Sequence, residues 1–76
     1  MTQAITPYKG PQDLIDTVVG AHGKSGGEEV SLVFKGVIGR KDRKTITAHF
    51  TAHRATIIFD LLTMSAGNCT GVRVKG

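Results

Sequence analysis

The fold prediction depends on residues 30–50, which read VSLVFKGVIGRKDRKTITAHF. From Val30 onward, apolar and polar side chains alternate with a period of two, which is typical of a half-buried β-strand. Residues 45–50 alternate in the same way, and between the two runs lie residues 40–44, RKDRK, in which four of the five positions are cations. The pattern therefore predicts two strands joined by a β-hairpin with a strongly basic tip.

Two helices and a last strand are predicted on either side of this hairpin. Pro11 opens the first helix, because proline suits the first helical position and an apolar stripe follows it as far as about His22. Thr51 can cap a second helix over residues 53–66, in which apolar side chains surround one narrow polar stripe. A further alternating run predicts a final strand at residues 70–75.

These elements predict one small α+β domain over residues 1–76. Their order is α-β-β-α-β, which we interpret as a two-layer α/β sandwich with an antiparallel or mixed sheet. A short strand at residues 3–6 would instead give the ferredoxin-like order β-α-β-β-α-β. We rank that alternative second, because the central strand of such a fold should be more apolar than the sequence QAIT.

The predicted second helix is apolar on more than one side and therefore needs burial on more than one side. A chain of 76 residues has little material to cover both sides of a helix. The helix is therefore either the central element of the fold or half of a homodimer interface. The candidate dimer interface consists of Ile57, Phe59, Leu61 and Met64.

Positive charge is concentrated in the second half of the chain, whose net charge as a whole is +4. Residues 1–29 hold two cations and four acids, whereas residues 30–76 hold eight cations and two acids. This distribution favours nucleic acid, an acidic protein surface or an acidic membrane as a partner, and the simpler interpretation is a solvated face. Because Phe34 and Phe50 fall on the core side of the predicted strands, contact with nucleic acid would be directed at phosphates and not at stacked bases.

Three functions are compatible with this pattern, and the first is binding of nucleic acid or a nucleoprotein complex through the basic hairpin. The second is a protein inhibitor or adaptor, of the kind that phages and mobile elements direct against host defence or regulatory proteins. The third is a structural role in an oligomer. The residues predicted to contact a nucleic-acid or protein partner are Lys35, Arg40, Lys41, Arg43, Lys44, Arg73 and Lys75.

No motif predicts an enzyme, a cofactor or a metal site. Residues 20–25, GAHGKS, end like a phosphate-binding P-loop but lack its earlier glycine, and a strand follows where a KH-type loop needs a helix. His49 and His53 are four residues apart, but the prediction places them on different elements without further ligands. Cys69 next to a helix end is more typical of a small core residue than of a nucleophile.

The expected compartment is the cytoplasm. A lone cysteine, Cys69, allows no internal disulfide and fits a reducing environment. The first eight residues lack the basic start and apolar run of a secretory leader, and the longest apolar stretch is interrupted at Asp60. We therefore expect no contact with a membrane.

Overall fold

A computed structural model describes residues 5–65 and 67–76 and shows a small α+β fold with two helices and a four-stranded mixed sheet. The elements are β1 (Ile5–Pro7), α1 (Pro11–Lys24), β2 (Val30–Lys35), α2 (Arg40–Ala52), β3 (Thr56–Met64) and β4 (Gly67–Lys75). Neither helix in the described part is long and apolar enough to cross a membrane.

The sheet has the strand order β1-β2-β4-β3. β1 runs parallel to β2, and β4 lies antiparallel between β2 and β3. Since β2 and β3 are both antiparallel to β4, they are parallel to one another, and α2 is the connection between them. Both parallel connections, β1 to β2 and β2 to β3, thus pass through a helix, which is the usual way to join parallel strands.

Three predicted elements are confirmed in type and approximate bounds. α1 begins at Pro11 and buries Leu14, Ile15 and Val18, which lie at helical spacing. β2 begins at Val30 as predicted, and the last strand begins at Gly67, three residues before the predicted start. In each of these segments the spacing of the apolar residues clearly fits either the helical period of 3.6 or the strand period of two.

The predicted basic hairpin is wrong, because residues 40–52 form the helix α2. Ile46 and Phe50, which would share one face of a strand, are also four apart and share one face of a helix. The side chain between them decides the matter: Ala48 is exposed, whereas Ile46 and Phe50 are buried. Arg and Lys are good helix formers, so the four cations begin this helix and do not form a turn.

The predicted second helix is also wrong, because residues 56–64 form the strand β3. A segment that is apolar on more than one side is equally typical of a strand with both faces partly covered. Residues 57–59, Ile-Ile-Phe, also favour strands. Nine register pairs join β3 to β4 from Thr56↔Lys75 to Met64↔Gly67 without interruption. The predicted end of that helix, Ala66, lies outside the described residues.

The observed order, β-α-β-α-β-β, differs from both predicted orders. An N-terminal strand does exist at Ile5–Pro7, and it pairs with β2 at the edge of the sheet and not at its centre. The low apolar content of this segment is consistent with an edge position. Residues 3 and 4 of the predicted N-terminal strand lie outside the described residues.

Both helices pack on the same face of the sheet and share one hydrophobic core. The buried members of this core are Leu14, Ile15, Val18, Phe34, Ile38, Ile46, Phe50, Val72 and Val74. The opposite face has no helix among the described residues, yet Val33 and Cys69 are buried on it as well. There the Leu62 side chain leans across Gly71, where an added Cβ would lie 3.0 Å from Leu62 Cδ1.

β3 is an edge strand whose outer side has no partner among the described residues. The N–H of Gly36 donates to the carbonyl of Asn68 at 2.9 Å, which shows that the backbone groups of Asn68 point towards β2. Because backbone direction alternates along a strand, the outer edge of β3 exposes the N–H and C=O groups of the helix-facing residues. These residues are Ile57, Phe59, Leu61 and Thr63.

The candidate dimer interface is therefore part of a strand and not of a helix. Ile57 and Phe59 are half-buried against the core, Met64 is half-buried near the end of β3, and Leu61 is 69% exposed. Homodimerisation stays a prediction, and the surface available for it would be the β3 edge.

We expect Leu14 and Leu61 to differ sharply in their contribution to stability. Leu14 is completely buried, so Leu14→Ala should lower the free energy of unfolding by about 2 to 5 kcal/mol. Leu61 is mostly exposed, so Leu61→Ala should change it by only about 0.5 kcal/mol. Urea denaturation at two protein concentrations checks both values. An equally large loss in both variants, dependent on concentration, would show that Leu61 is covered by a second copy.

Candidate functional site

The topology brings the beginnings of both helices to one end of the sheet. β1 and β2 are parallel, so the loops that follow them, residues 8–10 and 36–39, leave from the same end. A hydrogen bond joins the two helix starts: Tyr8 Oη donates to Asp42 Oδ2 at 2.7 Å. The first turn of α2 is thereby held beside the β1–α1 loop.

The first five residues of α2 include four cations. Arg40, Lys41, Arg43 and Lys44 are all exposed. The ion pair found among the described residues is Arg73–Asp60, so these four cations have no internal counter-ion there. The acid within the turn, Asp42, is engaged by Tyr8. The turn therefore presents a concentrated positive charge to solvent.

The backbone of the same turn also presents unpaired donors. Gly39 is the N-cap residue and provides no side-chain cap, and the first helical hydrogen bond runs from Arg43 N–H to Gly39 C=O at 2.9 Å. The N–H groups at the start of a helix point out of its end and need other acceptors. Cations and free N–H donors in one place are the two features that bind an anion at a helix N-terminus.

Two further cations lie at this end of the sheet. Lys35 is the last residue of β2 and pairs in register with Pro7, and Lys9 follows β1 by two residues. Together with the α2 cations they form what we call the basic end. The basic end consists of Lys9, Lys35, Arg40, Lys41, Arg43 and Lys44.

The other two predicted contact residues do not belong to the basic end. Arg73 forms an ion pair with Asp60, at 3.1 Å between Nη2 and Oδ2, on the sheet face opposite the helices. Lys75 lies six residues along β4 from Cys69, the partner of Lys35, which corresponds to about 20 Å of extended strand. The structure thus places Lys35 at the same end of the sheet as the four α2 cations, with its side chain on the face opposite the helices, and leaves Arg73 and Lys75 elsewhere.

A groove runs between α2 and the edge strand β3, beside the basic end. Three cations from the basic end share its lining with small α2 side chains and an aromatic ring from β3. The lining residues are Arg40, Arg43, Lys44, Thr47, Ala48 and Phe59. A neighbouring hollow continues the groove towards Val37 and Leu61, which are 63% and 69% exposed.

Sequence reasoning missed Lys9 in the basic end, Phe59 in the lining of the groove, and Tyr8 as the residue that binds Asp42. Phe59 was placed on a helix, so its position beside α2 could not be foreseen. A signal for the groove did exist, because Arg40, Arg43 and Lys44 have the i, i+3, i+4 spacing that puts side chains on one face of a helix. That signal becomes visible only after residues 40–52 are recognised as a helix.

The histidines lie closer together than predicted, without a third metal-ligating side chain beside them among the described residues. His49 lies in α2 and His53 is its C-cap residue, with stacked rings whose centroids are 4.4 Å apart. His53 Nδ1 lies 2.8 Å from the His49 carbonyl oxygen. No group of three or more metal-ligating side chains occurs in the part of the chain that the structure describes. Cys69 is buried in β4.

The comparisons with known proteins give no relative. No protein-family model, no curated protein and no solved structure matches this chain. Function is therefore inferred from the geometry of the basic end and of the groove beside it.

The Tyr8–Asp42 contact predicts a measurable pH dependence. Burial, the hydrogen bond to Asp42 and the negative charge of Asp42 raise the pKa of Tyr8 to about 12. The folded-state pKa of Tyr8 is above the ordinary value of about 10. The stabilisation by the Tyr8–Asp42 contact is therefore complete below pH 10 and is lost as the pH rises through about 12.

Tyr8 is the single tyrosine of the chain, so absorbance titration of the phenol reports it directly. We expect the midpoint near 12 in the wild type and a lower midpoint in Asp42→Asn, which removes the charge. The stability lost between pH 10 and 12 should be smaller in Tyr8→Phe than in the wild type. A wild-type midpoint near pH 10 would contradict the contact.

Proposed function

We propose that this protein is a non-enzymatic module that binds the phosphate backbone of nucleic acid, alone or in a nucleoprotein complex, through its basic end. The observation that carries the proposal is the placement of Arg40, Lys41, Arg43 and Lys44 among the first five residues of α2. The positive end of the helix dipole disfavours cations there, and acids are the usual residues at such positions. Four cations at that end are therefore unfavourable for the free protein and favourable for an anionic ligand.

Phosphates fit this surface better than isolated carboxylates do, because the positive charge is spread over a loop, the end of a strand and a helix. Lys9 and Lys35 extend the charge beyond α2 along one end of the sheet. A nucleic acid presents a regular row of phosphates, and each neutralised phosphate releases counterions. Such contacts fix position and orientation without reading sequence, so we expect weak sequence specificity.

A matched pair of triple variants tests the proposal. Arg40, Arg43 and Lys44, all changed to Gln, alter the basic end. Lys24, Arg54 and Lys75, all changed to Gln, remove the same charge from the opposite end of the molecule. We expect the first variant to lose nucleic-acid affinity and to flatten the slope of log affinity against log salt by about 2 to 3 units. The second variant should keep most of the wild-type slope.

Stability provides an independent measurement on the same variants. Because Arg40 and Arg43 lie in the first turn of α2 and oppose the helix dipole, the first variant should gain roughly 0.3 to 1 kcal/mol in the free energy of unfolding for each of these two charges at low salt. Thermal or urea denaturation in low salt, followed by a repeat in high salt, should show this gain and its screening. Binding of nucleic acid by the Arg40, Arg43 and Lys44 variant as tightly as by the wild type would contradict the proposed function.

The protein-binding alternative leads to a different result in the same assay. An inhibitor or adaptor that docks on an acidic protein surface would bind its target in nuclease-treated samples. It would also show no affinity for purified DNA or RNA at moderate salt. That outcome would replace nucleic acid by protein as the partner of the basic end.

A further inference from the structure

The groove between α2 and β3 combines the positive charge of the basic end with an aromatic side chain, which the basic end lacks. Its volume is about 560 Å³, within the range of about 300 to 1,000 Å³ that is typical of small-molecule sites. It is open along its length, so a ligand would lie in it and would not be enclosed. Arg40, Arg43 and Lys44 supply positive charge, and Phe59 supplies an aromatic side chain.

Phe59 is held at this position by the sheet. It pairs in register with Val72 of β4, packs against the hydrophobic core on one side and lines the groove on the other. Both the strand pairing and the core contacts restrict its movement, so the ring is fixed before a ligand arrives. A fixed ring costs little side-chain entropy when a ligand packs against it.

An aromatic side chain next to several cations in an open groove is the arrangement by which proteins hold single-stranded nucleic acid. Phosphates follow the cations, and an unpaired base stacks on the ring whatever its sequence. A duplex cannot supply such a base, because its bases are paired and stacked inside the helix. An acidic peptide would satisfy the cations, but it would give the aromatic ring no particular role.

We infer that the groove holds an unpaired base of a single-stranded nucleic acid against Phe59, while Arg40, Arg43 and Lys44 contact the neighbouring phosphates. This inference rests on the proposed function and names the form of nucleic acid that the protein prefers. It also differs from the sequence-based expectation of contacts with phosphates only, which considered Phe34 and Phe50 and not Phe59.

Fluorescence anisotropy with a labelled 12-nucleotide DNA of mixed sequence, its RNA counterpart and the corresponding DNA duplex tests the inference at one fixed salt concentration. Phe59→Leu keeps an apolar side chain but removes the ring, and Phe59→Tyr keeps a ring. Ile57→Val is the matched control, because Ile57 lies on the same face of β3 two residues earlier, packs against the same core and lines neither this groove nor the hollow beside it. Circular dichroism and the urea midpoint verify that each variant folds.

We expect the wild type to bind the single strands more tightly than the duplex. Phe59→Leu should weaken single-strand binding by about 5- to 100-fold and leave duplex binding within about twofold. Phe59→Tyr and Ile57→Val should bind within about threefold of the wild type. Should Phe59→Leu fail to fold, the comparison of single strand with duplex in the wild type still tests whether the protein binds an unpaired base.

The possible failures are distinguishable from one another. Equal binding of single strand and duplex, both lost in the Arg40, Arg43 and Lys44 triple variant, would overturn the role of Phe59 and leave the proposed function intact. Equal affinities of the wild type and Phe59→Leu for the single strand would also overturn the role of Phe59 and leave the proposed function intact. No binding of any nucleic acid, together with binding of a Glu-rich peptide, would overturn both proposals.

Discussion

The insertion of β4 between β2 and β3 is the constraint on which the rest of the structure depends. Both edges of β4 are paired, and the run from Cys69 to Val72 is buried without interruption. The Thr70 hydroxyl donates to the Gly36 carbonyl at 2.9 Å and accepts from the Ile38 N–H at 3.4 Å. β4 thereby fixes the loop that leads into α2 and sets where the cations of its first turn lie.

The sequence predicted those parts of the fold in which the apolar residues fit only one of two periods, two residues for a strand or 3.6 residues for a helix. α1 and β2 are such segments, and they were predicted correctly. Residues 45–50 are too short to separate a period of two from a period of 3.6, and burial of Ile46 and Phe50 against the sheet decides for the helix. Residues 56–64 were ambiguous for another reason: their apolar side chains lie on more than one side of either a helix or a strand, and only the pairing with β4 makes the segment a strand.

The candidate site was predictable in composition but not in arrangement. The four cations of residues 40–44 stand out in any inspection of the sequence, and the structure keeps them together. Their grouping with Lys9 depends on the parallel pairing of β1 with β2, which no local pattern encodes. The position of Phe59 beside α2 depends on the strand order of the whole sheet. Long-range pairing therefore determines which side chains complete the surface.

Among the described residues the outer edge of β3 is unpaired, and this affects how the protein behaves in concentrated solution. Nine residues without interruption, with Leu61 exposed, form a template on which a strand of another molecule can add. The groove lies directly beside this edge, so on the proposed binding mode a bound nucleic acid and an incoming strand compete for the same space. The unliganded form is then the aggregation-prone form, and the ligand acts as a solubility factor for the protein that binds it.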